Sequence, residues 1–151
     1  MDASEQFLLG LVGRDVVSFQ IDPKAGSLQE VARDTSDRQL YYVRAHPAAE
    51  FFFVVNQDED LLTYRMDTET GIPHKLGMIS IPGGIGSLAV HPAGNVVLLT
   101  NRSTQQVVSF LFDRVSGELT LSDAQPAGYF PGTVAVEGHS NLVFVGDRPA
   151  I

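Results

Sequence analysis

The chain has 151 residues, of which 44% are hydrophobic and 19% charged, and its formal net charge is -8. This composition is typical of a globular domain and excludes a disordered chain, and the acidic balance argues against nucleic-acid or anionic-membrane partners, which need a basic surface. The sequence contains no cysteine, so disulfides and thiolate metal sites are excluded.

The first six residues, MDASEQ, are acidic and polar where a secretory signal would carry Lys or Arg. The apolar FLLGLV that follows is too short for a signal core and far too short to span a bilayer. We therefore expect a cytoplasmic protein.

The first unit, about residues 1–39, is predicted to hold three strands. Its alternating VVSFQI leads into the turn IDPKAGSL, in which an Asp is followed four residues later by a Gly. This pattern suits a β-hairpin whose Gly takes the left-handed conformation and whose Asp caps the loop backbone. The segment SLQEVARDTSDRQL has some helical character, but its place in the repeat described below predicts a strand followed by a loop.

The second unit, about residues 40–85, is predicted to hold four strands, at 40–45, 51–55, 60–66 and 75–81. The first two are joined by the tight turn HPAAE, and the last two by a second Asp-Gly turn, MDTETGI. The Gly-rich IPGGIG would link this unit to the next.

The third unit, about residues 86–131, repeats this order with the turns HPAGN and FDRVSGEL, and AGYFPG would form the next link. Residues 132–151 begin a fourth unit with two predicted strands, between about 132 and 145. The whole chain is therefore predicted to hold thirteen strands.

Corresponding residues recur at a step of 45 or 46 positions. The turn aspartates are Asp22, Asp67 and Asp113, and the His-Pro histidines are His46 and His91. Such a period, built from short strands, is typical of a β-propeller, in which four-stranded antiparallel blades surround a central channel. The sequence thus predicts an all-β protein made of about three propeller blades.

Three segments resemble the lactonase family of seven-bladed β-propellers: VVSFQIDPKAGSL, AVHPAGNVVLLTN and VVSFLFDRVSGEL. This family includes the cycloisomerase-type 6-phosphogluconolactonases and the carboxymuconate-lactonizing enzymes. The resemblance implies a lactone hydrolase or cycloisomerase that acts on a sugar lactone or muconolactone without a cofactor. Surface-layer and quinoprotein-like propellers carry a similar His-Pro phrase, so they remain an alternative. A non-catalytic binding or scaffold propeller, or a truncated relative that has lost its activity, is a further alternative.

The chain departs from this family in length, because seven blades need more than twice 151 residues. The first unit also lacks an innermost strand. Either the chain is part of a longer propeller, or two copies close on one another as a homodimer, with GTVAVEG of one copy supplying the missing strand of the other. Both alternatives stay open at this stage.

Arg44 is the first candidate for a catalytic residue, because it stands where the other two copies hold Ala89 and Ala135. Its strand is predicted to line the central channel. A guanidinium there suits bidentate binding of a carboxylate or phosphate. The alternative is that Arg44 pairs with a nearby acidic side chain or extends into solvent.

A second group of candidates directly follows the second strand of each unit, on loops expected at the channel mouth. Asp147 would act as the general base of a lactone hydrolase, and the others would bind a small anionic lactone. The alternative for the Asn and Asp members is turn capping by short polar side chains. The substrate-binding candidates are Arg102, Arg148, Asn56 and Asn101.

The remaining histidine and acidic patterns predict no metal site. His46 and His91 recur at the same turn of successive units, so we expect them to be structural. His74 and His139 have no metal-ligand spacing to another His, Asp or Glu.

Overall fold

The computed structural model describes residues 7–147, which form thirteen β-strands and, within that range, no helix. No helix in this part of the chain could therefore cross a membrane. The strands are β1 (Phe7–Val12), β2 (Asp15–Ile21), β3 (Leu28–Thr35), β4 (Leu40–Ala45), β5 (Phe51–Asn56), β6 (Asp60–Met66), β7 (Pro73–Ser80), β8 (Ile85–Val90), β9 (Val96–Asn101), β10 (Gln106–Phe112), β11 (Leu119–Pro126), β12 (Pro131–Glu137) and β13 (Leu142–Asp147).

The strands form antiparallel sheets in which chain neighbours pair, as propeller blades do. Blade I holds β1–β3, blade II β4–β7, blade III β8–β11 and the partial blade IV β12 and β13. Within the described residues β1 has no partner on its inner edge. The predicted all-β propeller of about three blades is confirmed, and residues 7–39 of the first unit form three strands, as predicted.

The core lies between the blades and is centred on β5, which is buried on both faces. Successive side chains of a strand point to opposite faces of its sheet. Phe52 therefore packs towards blade I, whereas Phe51 and Phe53 pack towards blade III. All three rings are at most 1% exposed. Because burial of one such side chain stabilises a fold by about 2–3 kcal/mol, blade II holds its neighbours on both sides.

The two ends of the arc expose apolar side chains. On β1, Leu8 and Val12 are 45% and 53% exposed, and they alternate with residues that pack against blade II. On β13, Leu142 and Phe144 are 54% and 57% exposed. Each end therefore presents a sheet face that no described residue covers.

The three Asp-Gly turns have the predicted geometry. In the first, Asp22 Oδ1 accepts hydrogen bonds from the backbone N–H groups of Lys24 and Ala25, at 2.8 and 3.1 Å. The N–H of Gly26 donates to the Asp22 carbonyl at 2.8 Å, and Gly26 has a φ of 67°. These backbone hydrogen bonds hold the pKa of Asp22 below its usual range. The turns at Asp67 and Asp113 repeat this arrangement.

Two predicted strands have different limits in the structure. Strand β5 extends one residue further, to Asn56, because Asn56 still pairs with Leu40. The strand predicted at 75–81 runs from Pro73 to Ser80, since pairing with Met66 begins directly after the turn. A proline is tolerated at Pro73 because β7 is the outermost strand of its blade and needs no outward N–H donor.

His46 links its own turn to the turn of the next blade. Its Nδ1 accepts a hydrogen bond from the Ala48 N–H at 2.9 Å. The ring proton is therefore on Nε2, which donates a hydrogen bond to the Gly94 carbonyl at 2.6 Å. The ring is 3% exposed and lies against Phe112. His91 repeats the arrangement one blade later, with Nε2 donating to Asn141 Oδ1 at 2.9 Å. These contacts give both histidines a structural role.

We expect His46→Ala to lower the free energy of unfolding by about 2–4 kcal/mol, because it removes two hydrogen bonds and leaves a cavity beside Phe112. Urea denaturation followed by circular dichroism would measure the change. The matched control is His74→Ala, because His74 is exposed on β7; its effect should stay within about 0.5 kcal/mol. Equal effects of the two substitutions would contradict the linking role of His46.

A second prediction compares two glycines that occupy the same position in the Asp-Gly turn. A Cβ on Gly26 would meet no atom within 4 Å, whereas one on Gly71 would lie 2.5 Å from Cε1 of Phe7. Both have positive φ, so either alanine costs about 1–2 kcal/mol from backbone strain. Gly71→Ala should cost at least about 1 kcal/mol more through overpacking. Denaturation of both variants would test this, and an equal loss would show that the Phe7 ring moves away freely.

Candidate functional site

The innermost strands β4, β8 and β12 line a groove of about 480 Å³ on the concave side of the arc. Arg44 lies in this wall opposite Phe53, as Ala89 lies opposite Leu98 and Ala135 opposite Phe144. The structure therefore confirms that Arg44 occupies the position that holds alanine in the other blades. Its charge is the feature that distinguishes this groove from a plain apolar wall.

The Arg44 side chain is exposed, and its Nε donates a hydrogen bond to the Leu88 carbonyl on β8 at 3.1 Å. Among residues 7–147, no carboxylate forms an ion pair with Arg44. The acidic partner considered from the sequence is thus not observed there. One of the five N–H donors of the guanidinium is used, and among residues 7–147 no ion pair with a carboxylate would compete with an anion for the others.

Arg102 lies on the loop after β9, and the backbone of this loop is hydrogen-bonded to the link between blades II and III. The Arg102 N–H donates to the Gly84 carbonyl at 3.0 Å, and the Ser103 N–H donates to the Gly83 carbonyl at 2.9 Å. The exposed guanidinium of Arg102 lies over the Phe130 ring, 5.5 Å from its centroid. A cation–π contact of this kind orients the side chain without neutralising its charge.

Tyr42 lies near both arginines. It precedes Arg44 by two positions on β4, so both side chains leave the same face of the strand. Its hydroxyl is buried and has no hydrogen-bond partner among the described residues. Burial raises the pKa of Tyr42 to about 12, and the nearby positive charges of Arg44 and Arg102 act in the opposite direction. Both predicted arginines therefore lie near one phenol.

Thr100 carries the second buried hydroxyl that has no hydrogen-bond partner among residues 7–147. It lies on β9 and is 0% exposed. A Cβ built on Gly86 would lie 2.6 Å from Thr100 Oγ1 and 3.3 Å from Arg102 Nε. The Pro131 carbonyl oxygen lies 2.6 Å from the same point, so the hydroxyl, the guanidinium and this carbonyl all pack against Gly86, where a side chain would not fit.

Sequence reasoning missed Tyr42 and Thr100, although one signal was present. Tyr42 occupies the position that holds Ser87 and Thr133 in the next two blades. All three blades thus hold a hydroxyl residue at this position, and Tyr42 is the largest of them. In the same way, Arg44 is the one charged residue at a position that holds alanine in the other two blades. Thr100 carries no such signal, because its burial and missing partner depend on the packing of neighbouring strands.

Asn56 and Asn101 cap the loops that follow their strands. The Oδ1 of Asn56 accepts from the N–H groups of Asp58 and Asp60, at 3.0 and 2.9 Å. The Nδ2 of Asn101 donates to the Pro82 carbonyl at 3.0 Å, and its Oδ1 accepts from two N–H groups of its own loop. Both side chains are buried. These contacts account for the two residues structurally, and their predicted contact with substrate stays a prediction.

Asp147 ends β13 and holds the link between blades III and IV. Its carboxylate accepts the N–H groups of Tyr129 and Phe130, at 3.0 and 2.6 Å. Its predicted role as a general base stays a prediction, as does the role of Arg148, which lies outside the described residues. Among residues 7–147, no three His, Asp or Glu side chains are arranged to hold a metal ion.

The fold is shared with solved propellers at low sequence identity. The chain superimposes on a provisionally assigned 6-phosphogluconolactonase from Bacteroides uniformis with a TM-score of 0.78 at 13% identity, over 93% of this chain and 43% of that one. It superimposes on the periplasmic gluconolactonase PpgL of Pseudomonas aeruginosa with a TM-score of 0.69 at 18% identity, over 95% and 39%. It also matches the β-propeller domain of Cps50 (Swd1) from Myceliophthora thermophila, with a TM-score of 0.70 at 12% identity, over 92% and 46%.

These matches establish the propeller fold, and the chain spans less than half the length of each of these structures. No protein-family model and no curated protein matches the chain.

We expect the buried phenol to make the fold sensitive to alkaline pH. An unfolded tyrosine ionises near pH 10, whereas the pKa of Tyr42 in the fold is about 12. Between these values the folded state keeps a proton that the unfolded state has lost, so stability falls as the pH rises. Burial also raises the pKa of Tyr64, which adds to the fall. Urea denaturation at pH 9 and 11 should show a smaller fall in Tyr42→Phe, and an unchanged fall would contradict the shift.

Proposed function

We propose that this chain carries the anion-binding part of a lactone hydrolase or cycloisomerase that acts on a sugar lactone or muconolactone. The observation that supports this most directly is a pair of exposed arginines on neighbouring blades, Arg44 on the inner wall of blade II and Arg102 on the loop after β9 of blade III. Two of the structural neighbours, a provisionally assigned 6-phosphogluconolactonase and a gluconolactonase, support the same choice.

An anionic ligand fits this site better than a neutral or cationic one. The chain as a whole has a net charge of -8, yet in the described structure Arg44 and Arg102 form no ion pair with an acidic side chain. Guanidinium groups bind carboxylates and phosphates through parallel N–H···O hydrogen bonds. The carboxylate of a muconolactone or the phosphate of a sugar lactone would supply the matching charge.

In the proposed hydrolysis, a water molecule attacks the lactone carbonyl carbon while a base takes its proton. The ring C–O bond then breaks, the alkoxide receives a proton, and the product is a hydroxy acid. The arginines would hold the anionic group in place and orient the ring. We propose Asp147 as the base, because a carboxylate that accepts two N–H groups still has further lone-pair positions.

A complete lactone-binding site needs more blades than the described residues form. We propose that the missing blades come from the rest of a longer propeller or from a second copy of the chain that packs on the exposed faces of β1 and β13. A cytoplasmic location belongs to the same proposal, and the lack of cysteine in these 151 residues agrees with it.

The second candidate function is a non-catalytic binding propeller. The match to the propeller domain of Cps50 (Swd1), a protein whose name indicates no lactone chemistry, favours it. So does the capping role of Asn56, Asn101 and Asp147, which occupies those side chains structurally. Ligand binding without release of acid from any lactone would distinguish this candidate from the enzyme.

We expect the chain to bind 6-phosphogluconate, the ring-opened acid, and both Arg44→Ala and Arg102→Ala to weaken that binding about 10- to 100-fold. A hydrogen bond to a charged group contributes about 1.5–3 kcal/mol, which gives this range. Isothermal titration calorimetry at low and moderate salt would measure the affinities.

The matched control is Arg65→Ala, because Arg65 is also exposed but pairs with Glu50 away from the groove, at 3.2 Å. This variant should bind like the wild type. Absence of saturable binding to the wild-type chain, or an equal loss in Arg65→Ala, would overturn the anion site.

A further inference from the structure

Two buried hydroxyl groups lie without a hydrogen-bond partner in the part of the protein that the structure describes. They belong to Tyr42 and Thr100. A buried polar group without a partner costs about 1–3 kcal/mol, and most native proteins pair such groups. The fold therefore loses stability at two points close to the proposed site.

Other buried hydroxyls in the same chain have partners. Tyr64 is 0% exposed, and its hydroxyl donates to Asp34 Oδ2 at 2.9 Å. Ser18 is 0% exposed, and its Oγ donates to the Gly71 carbonyl at 2.6 Å. The described residues thus supply partners to Tyr64 and Ser18 in the seam between blades I and II, but not to Tyr42 and Thr100.

Both unpartnered hydroxyls have Arg102 as a neighbour. The charge of Arg102 acts on Tyr42, together with that of Arg44. Thr100 Oγ1 and Arg102 Nε both lie beside Gly86, together with the Pro131 carbonyl oxygen. The arginine side chains are exposed and long, so their guanidinium groups can turn towards an anion that binds beside these hydroxyls.

We propose that the hydroxyls of Tyr42 and Thr100 are ligand-binding groups, which donate hydrogen bonds to uncharged oxygen atoms of the anion that Arg44 and Arg102 hold. This inference rests on the proposed function, and it adds the groups that distinguish the ligand from a simple anion. The arginines recognise charge, which inorganic phosphate also provides. The hydroxyls recognise the additional oxygens of the organic ligand.

The protonation of Tyr42 agrees with a donor role. Because burial raises its pKa to about 12, the phenol keeps its proton at neutral pH. Thr100 is a donor at any pH. Neither residue needs to ionise for the proposed hydrogen bonds, so the binding is expected to be constant between pH 6 and 9 as far as these two groups are concerned.

The proposal predicts opposite effects on stability and on binding. Tyr42→Phe and Thr100→Val remove the hydroxyls with little change of shape. Replacing an unpartnered polar group by an apolar one is neutral or stabilising, so the urea midpoints of both variants should equal or exceed that of the wild type. Their affinity for 6-phosphogluconate should fall about tenfold per lost hydrogen bond. Their affinity for inorganic phosphate should not change.

Tyr64→Phe is the matched control, because it removes a buried phenol hydroxyl that has a partner in Asp34. It should lower the urea midpoint and leave both affinities unchanged. Calorimetry and denaturation of the four proteins, wild type included, complete the test.

Three results would overturn the inference. Unchanged 6-phosphogluconate binding in Tyr42→Phe and Thr100→Val would do so, and if Arg44→Ala still lost binding, the proposed function would stand. A lower urea midpoint in both variants would show that the hydroxyls have structural partners. Absence of binding to the wild type would remove the proposed function, and this inference with it.

Discussion

The fold depends on the burial of both faces of β5. In a propeller each blade must cover the apolar face of its neighbour, and an inner strand can do this for two neighbours at once. The consecutive phenylalanines Phe51, Phe52 and Phe53 alternate between the two seams, so one strand contributes to both cores. The burial of β5 holds blades I, II and III together. It also fixes the orientation of the neighbouring strand β4, which carries Arg44 and Tyr42.

The sequence predicted most of the architecture, because each blade repeats local signals. Asp-Gly turns, His-Pro turns and alternating strands recur at a fixed step, and a turn depends on a few adjacent residues. The position of Arg44 on the inner wall could be predicted in the same way, by comparison with Ala89 and Ala135. In the structure β5 ends one residue later and β7 begins two residues earlier than the sequence predicts, because strand pairing continues up to the adjacent turn.

The site was less predictable, because its character depends on contacts between blades. The sequence cannot show that Tyr42 and Thr100 are buried without partners, since that depends on strands far apart in the chain. It also cannot show that Arg44 donates to the Leu88 carbonyl and forms no ion pair with a described acidic residue. Asn56 and Asn101 illustrate the converse, because a short polar side chain after a strand caps the loop whether or not a ligand binds.

The histidine links also have a direction. His46 of blade II holds the turn of blade III, and His91 of blade III holds the turn of blade IV. Each link connects a blade only to its successor, which makes the arc a one-dimensional system of nearest-neighbour couplings. Opening of the last blade would break one coupling and leave the earlier ones intact. Hydrogen exchange should therefore be graded along the arc, with the slowest amides in blade II and the fastest at β13.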